Sequence, residues 1–141
     1  MQIVAAAVLY FLIVFGVGFL LGPMRVFWLE PRLGETLAVL CEAPFLLIAI
    51  VLAARWLATR LRLKADIRSL AGMGLAALFL QQLADFAVGS FLRGLTPAQQ
   101  IAHLARPAGL VYVLLLIMFA AMPILANLPG RRRRDTESPR A

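Results

Sequence analysis

Four long apolar runs alternate with short polar segments along these 141 residues. Each run is about twenty residues, the length a helix needs to cross a hydrocarbon core of roughly 30 Å at 1.5 Å per residue. The pattern predicts spans over about 2–21, 36–57, 69–92 and 108–128, within one helical unit covering 1–128. Residues 129–141 form a basic tail expected to be disordered. The fold class expected is all-α: a polytopic, four-helix transmembrane bundle. Gly16, Gly18 and Gly22 lie in the second half of the first span, and the Gly18/Gly22 spacing is that of a close helix–helix contact. Pro44 falls inside the second span and is expected to kink it, because it removes the bond to the Leu40 carbonyl.

The connectors carry their own signals. The segment Arg25–Glu35 holds Arg25, Glu30, Arg32 and Glu35, with Pro31 and Gly34 as breakers and with Phe27 and Trp28 placed as interfacial anchors. Thr96-Pro97-Ala98-Gln99 reads as a helix start with a capping-box variant, and the short helix that follows brings Ile101 and Leu104 together on a membrane-facing side. No basic n-region precedes the first apolar run and no small-residue cleavage site follows it, so it is expected to be a retained helix rather than a signal peptide.

Composition agrees with the pattern. Hydrophobic residues make up 62% of the chain and charged ones 15%, against about 45–50% and about 25% in soluble domains. The net charge of +7 does not read as a nucleic-acid surface, because the basic residues gather in one loop (Arg55, Arg60, Arg62, Lys64, Arg68) and in the tail with Arg131–Arg134. Such loops set topology and attract anionic headgroups. Ten of the fourteen lysines and arginines fall on the side shared by this loop and both termini. The positive-inside rule makes that side cytoplasmic.

Two acids interrupt the apolar runs. Glu42 and Asp85 both lie about six or seven residues below the opposite, outer face. Glu42 shares a helical face with Glu35, Ala38, Ala49 and Ala53, and Asp85 shares one with Gly74, Leu78, Gln81 and Gly89. Both are expected to point inward, with Arg25 and Arg32 as partners able to offer a bidentate fork. Gln81 and Gln82 are expected to act as interhelical donors, and Tyr112 on the last span falls at the same depth. The candidate cluster is therefore Glu42, Asp85, Arg25, Arg32, Gln81 and Tyr112, with Gly18, Gly22 and Pro44 as packing determinants. Cys41, the only cysteine, is expected to be a small packing residue, and His103 an interfacial one. No arrangement for catalysis, metal or cofactor binding is expected.

Several segments together carry a resemblance: Gly22-Pro23-Met24-Arg25, Trp28-Leu29-Glu30-Pro31-Arg32-Leu33-Gly34-Glu35, Glu42-Ala43-Pro44, Ala53-Ala54-Arg55-Trp56, Phe91-Leu92-Arg93-Gly94-Leu95, and Tyr112 with Phe119-Ala120-Ala121-Met122-Pro123. The chain resembles a group of small, uncharacterised four-span bacterial inner-membrane proteins over nearly everything up to Leu128. The resemblance implies a multi-pass inner-membrane location and no particular activity. The resemblance implies an acid after the arginine of the outer segment, where this chain has His103-Leu104-Ala105-Arg106-Pro107, so it lends no support to an ion-pair role for Arg106. The functional expectation is a non-enzymatic membrane protein that associates with a membrane-protein partner or with itself. The alternative is a small oligomeric transporter or proton-linked permease using Glu42 and Asp85.

Overall fold

The computed structural model describes residues 2–60 and 66–127. The calls on Arg62, Lys64 and the tail beyond Asn127 lie outside the described residues. Within them the chain is helical, without strands. It forms α1 (Gln2–Leu33), α2 (Glu35–Arg60), α3 (Ile67–Leu92), α4 (Pro97–Leu104) and α5 (Pro107–Asn127). Four of these, all but α4, are long and apolar enough to cross a membrane.

The first span is longer than the sequence pattern indicates. Helix continues from Met24 through the connector to Leu33, about 48 Å in all. Pro31 was expected to break it. A proline cannot donate to the carbonyl four residues back, and its ring crowds that carbonyl. Here a wider π turn over Arg25–Leu29, closed by the Glu30 amide donating to the Arg25 carbonyl, lies just before Pro31. The helix widens there instead of ending. The break comes at Gly34, whose φ of 81° lies in the left-handed region and whose N–H donates to the Glu30 carbonyl at 2.9 Å. A second π turn, Val88–Leu92, ends α3. Pro44 lies on the exposed side of α2, which runs through it as continuous helix.

The helices form a ring in the order α1, α2, α5, α3, with α3 closing on α1. Consecutive helices α2 and α3 thus occupy opposite corners, and α1 faces α5 across the centre. The core lies in the half of the bundle away from Gly34 and α4. It is built from Ala6, Ala7, Tyr10, Ala53, Ala54, Leu57, Met73 and Ala77, closed by Phe119 and Met122. Alanines let the backbones approach without a cavity.

Tyr10 occupies the centre. Its ring stacks on Phe119 with centroids 4.5 Å apart, and its hydroxyl donates to the Phe119 carbonyl at 2.9 Å. That carbonyl is the one orphaned by Pro123, four residues on and fully buried. An unpaired carbonyl in an apolar interior is costly. Tyr10 supplies the missing donor from the opposite helix.

The close approach expected at Gly18/Gly22 occurs elsewhere. A Cβ at Gly22 would meet nothing within 4 Å, and one at Gly18 would make only ordinary contact with Leu46. At Gly74 a Cβ would stand 2.1 Å from the Ala120 carbonyl oxygen, so this glycine is what lets α3 reach α5.

Candidate functional site

The polar side chains gather at the end of the bundle that carries Gly34 and α4, as expected, but in separate groups. Glu42 is buried, with a side-chain exposure of 7%, and its Oε2 accepts from Arg25 Nη1 at 2.9 Å. Arg25 also donates from Nε to Glu30 Oε1 at 3.2 Å. Arg25 and Glu30 are five residues apart, which an α-helix would rotate apart by about 140°. The wider π turn brings them onto one side, so a single guanidinium serves one carboxylate on its own helix and one on α2. Periodicity of 3.6 residues could not reveal this pair. The adjacent exposed face of α2 carries Cys41, which is not a packing residue.

Arg32 does not join this group. It lies on the exposed side of the last turn of α1, and among the described residues it forms no ion pair. The continuous helix accounts for the difference. Without a break at Pro31, Arg32 stays on the exposed side of the last turn of α1.

Asp85 sits on α3, at the corner opposite Glu42. It has no arginine or lysine partner among the described residues. Its carboxylate accepts instead from neutral donors. Gln81 Nε2 reaches both oxygens at 3.0 Å, and the Tyr112 hydroxyl of α5 donates to Oδ2. Gln82 Nε2 donates to the same tyrosine oxygen at 3.2 Å. Gln82 is therefore an interhelical donor, whereas Gln81 bonds within its own helix at i, i+4. The Gln81 Oε1 atom is buried and has no partner among the described residues. Arg25 and Arg32, the partners expected for both acids, thus give way to a division. Glu42 has a charged partner, and among the described residues Asp85 has none.

A third group lies at the mouth of the bundle. Glu35, at the start of α2, has Oε2 3.5 Å from Arg106 Nη1 and Oε1 3.7 Å from His103 Nδ1. Arg106 therefore finds an acid on another helix, although the residue after it is a proline. Helix α4, which carries His103, is closed at its start by a capping box. Thr96 N donates to Gln99 Oε1 at 2.9 Å, and Gln99 N to Thr96 Oγ1 at 3.3 Å. Gln100 Nε2 adds a bond to Ser90 Oγ at 3.0 Å. Gly89 and Gly109 leave room for this packing, since a Cβ at either would come within 2.6 Å of the Gln100 side chain or of the His103 backbone.

The arrangement holds helices in pairs: α1 to α2 through Arg25–Glu42, and α3 to α5 through Asp85–Tyr112 and Gln82. What it offers chemically is one carboxylate, two amides and a phenol without a fixed counter-charge. No family model matches the chain, and no curated protein or solved structure matches it either.

Proposed function

We propose that this chain is a multi-pass protein of the bacterial inner membrane, with both termini cytoplasmic, that works by association with a membrane partner or with further copies of itself and performs no catalysis. Membrane insertion is supported by four helices of spanning length whose outward residues are large and apolar, among them Leu12, Leu20, Phe45, Phe79 and Leu114. Ten of fourteen basic residues on one side support the orientation. They also favour contact with anionic headgroups over nucleic acid. The resemblance to small four-span inner-membrane proteins supports the location.

The observation that carries the association reading is the fate of Glu42. The most buried acid among the described residues is held by Arg25 in a contact that joins two helices, which is what interhelical polar groups do when they fix packing in a bilayer. Two differently tagged copies expressed together provide the test. Recovery of the second tag, or of a stoichiometric membrane protein, is expected when the first is isolated in lipid. Isolation of the single-tag chain alone would overturn the reading.

Asp85 favours a second reading, a proton-linked permease working as an oligomer. An acid among apolar helices with neutral partners only is the kind of group that proton relays use, and Glu42, held by Arg25, is poorly placed to share that role. In proteoliposomes this reading expects a pH-driven flux that Asp85→Asn abolishes and Glu42→Gln spares. No flux from the native chain contradicts it.

A further inference from the structure

One face of α2 carries an apolar stripe that ends between two cations. Phe45, Ile48, Leu52 and Trp56 are half or more exposed along it. Arg55 and Arg60 are exposed beside Trp56, at the end of the helix away from Gly34. At about 100° per residue all six fall within one arc of about 140°, with the arginines at its edges and the stripe between them. From Phe45 to Trp56 the stripe rises about 16 Å, one leaflet's share of a hydrocarbon core of about 30 Å. The Arg60 guanidinium lies over the Trp56 ring, 5.8 Å from its centroid, which keeps the charge beside an indole of the kind that sits at membrane interfaces. Neither arginine has an acidic partner among the described residues. The negative end of a helix dipole amounts to about half a charge, so it leaves most of the two positive charges unanswered.

We propose that this face holds an anionic diacyl phospholipid, its phosphate between Arg55 and Arg60 and an acyl chain lying along Leu52, Ile48 and Phe45. Charge complementarity selects the headgroup. A zwitterionic lipid brings the same chains and the same phosphate, but its own cation competes with the arginines; an anionic lipid brings a net negative charge to a surplus of positive ones. The planar fork of arginine suits phosphate oxygens, and stacking on Trp56 orients Arg60 in advance. The cations at the other end of the bundle differ, since Arg25 and Arg106 are engaged by Glu42, Glu30 and Glu35. The site deepens the contact with anionic headgroups proposed above and rests on membrane insertion, but not on orientation or association.

Native mass spectrometry of the full chain in maltoside micelles, titrated with phosphatidylglycerol or with phosphatidylcholine of the same chains, tests the site. The first phosphatidylglycerol should bind about tenfold more tightly than phosphatidylcholine. Arg55→Gln with Arg60→Gln should bring the two lipids to within about twofold of each other. Trp56→Ala should weaken phosphatidylglycerol by about threefold. Arg93→Gln, which removes an exposed arginine close to α4, should change neither affinity. Equal affinity of the native chain for the two lipids overturns the proposal, and so does an undiminished preference in the double variant or an equal loss from Arg93→Gln. If the double variant fails to fold, Arg55→Lys with Arg60→Lys keeps the charges and removes the forks; a preference lowered by about threefold is then expected, and an unchanged one overturns the site. A chain absent from the membrane fraction of its cells would defeat insertion itself, whereas a membrane-borne chain without lipid preference defeats this site alone.

Discussion

Removing Arg25 should destabilise the bundle more than removing Glu42, and removing both should cost less than the two losses together. Arg25 Nη1 and Glu42 Oε2 are 2.9 Å apart at a side-chain exposure of 23% and 7%. At an effective dielectric constant of about 20 the gross attraction is about 6 kcal/mol, most of which offsets the loss of hydration of both groups. Arg25→Ala leaves Glu42 buried without a partner and also deprives Glu30, and should cost about 3 to 4 kcal/mol. Glu42→Ala leaves Arg25 still bonded to Glu30 and should cost about 1 to 2 kcal/mol. The double variant removes the stranded acid together with its partner, so the coupling should be about 2 kcal/mol. Unfolding of the four proteins in maltoside micelles by added dodecyl sulfate measures each value. Additivity to within about 0.5 kcal/mol would mean that the pair does not hold α1 to α2.

Three further outcomes follow from the same geometry. Tyr10→Phe should cost about 1 to 3 kcal/mol by leaving the Phe119 carbonyl unsatisfied. The same change should cost clearly less in a Pro123→Ala background, where the residue 123 amide can serve that carbonyl; equal costs in both backgrounds would refute the pairing. Gly74→Ala should destabilise by about 1 to 3 kcal/mol through its clash with the Ala120 carbonyl, while Gly22→Ala should stay within about 0.5 kcal/mol, both read by the same micelle titration. Thr96→Ala should remove the capping box and speed hydrogen exchange over α4 by an amount equivalent to about 1 kcal/mol, with the four long helices unaffected.

Much of the architecture is legible in the apolar runs, because helices with large apolar residues on the outside and alanine-lined contacts within leave few alternatives. The capping box and the break at Gly34 are legible too, as both depend on residues close in sequence. What escapes is set by contacts between helices or by departures from the 3.6-residue period. Pro31 reads as a breaker, yet a π turn absorbs it and rotates Arg25 toward Glu30 and Glu42. The Gly18/Gly22 pair has the spacing of a contact, but the backbone approach falls at Gly74, which the pattern sets on an inward face without marking it as the contact. Depth along the helix axis correctly puts Glu42 and Asp85 near one end. It carries no information about the ring order that sends them to opposite corners, with Arg32 away from both. The service Tyr10 performs for the carbonyl freed by Pro123 joins residues more than a hundred positions apart, and no local signal announces it.

The claim that this chain acts through association is tested most directly by its mass in lipid. Extracted from its own membrane in polymer-bounded discs and examined by native mass spectrometry, the 15.4 kDa chain should appear as a multiple of itself or bound to a membrane partner in fixed ratio. A single uncomplexed chain in every disc, at expression levels near those in the cell, would contradict the claim.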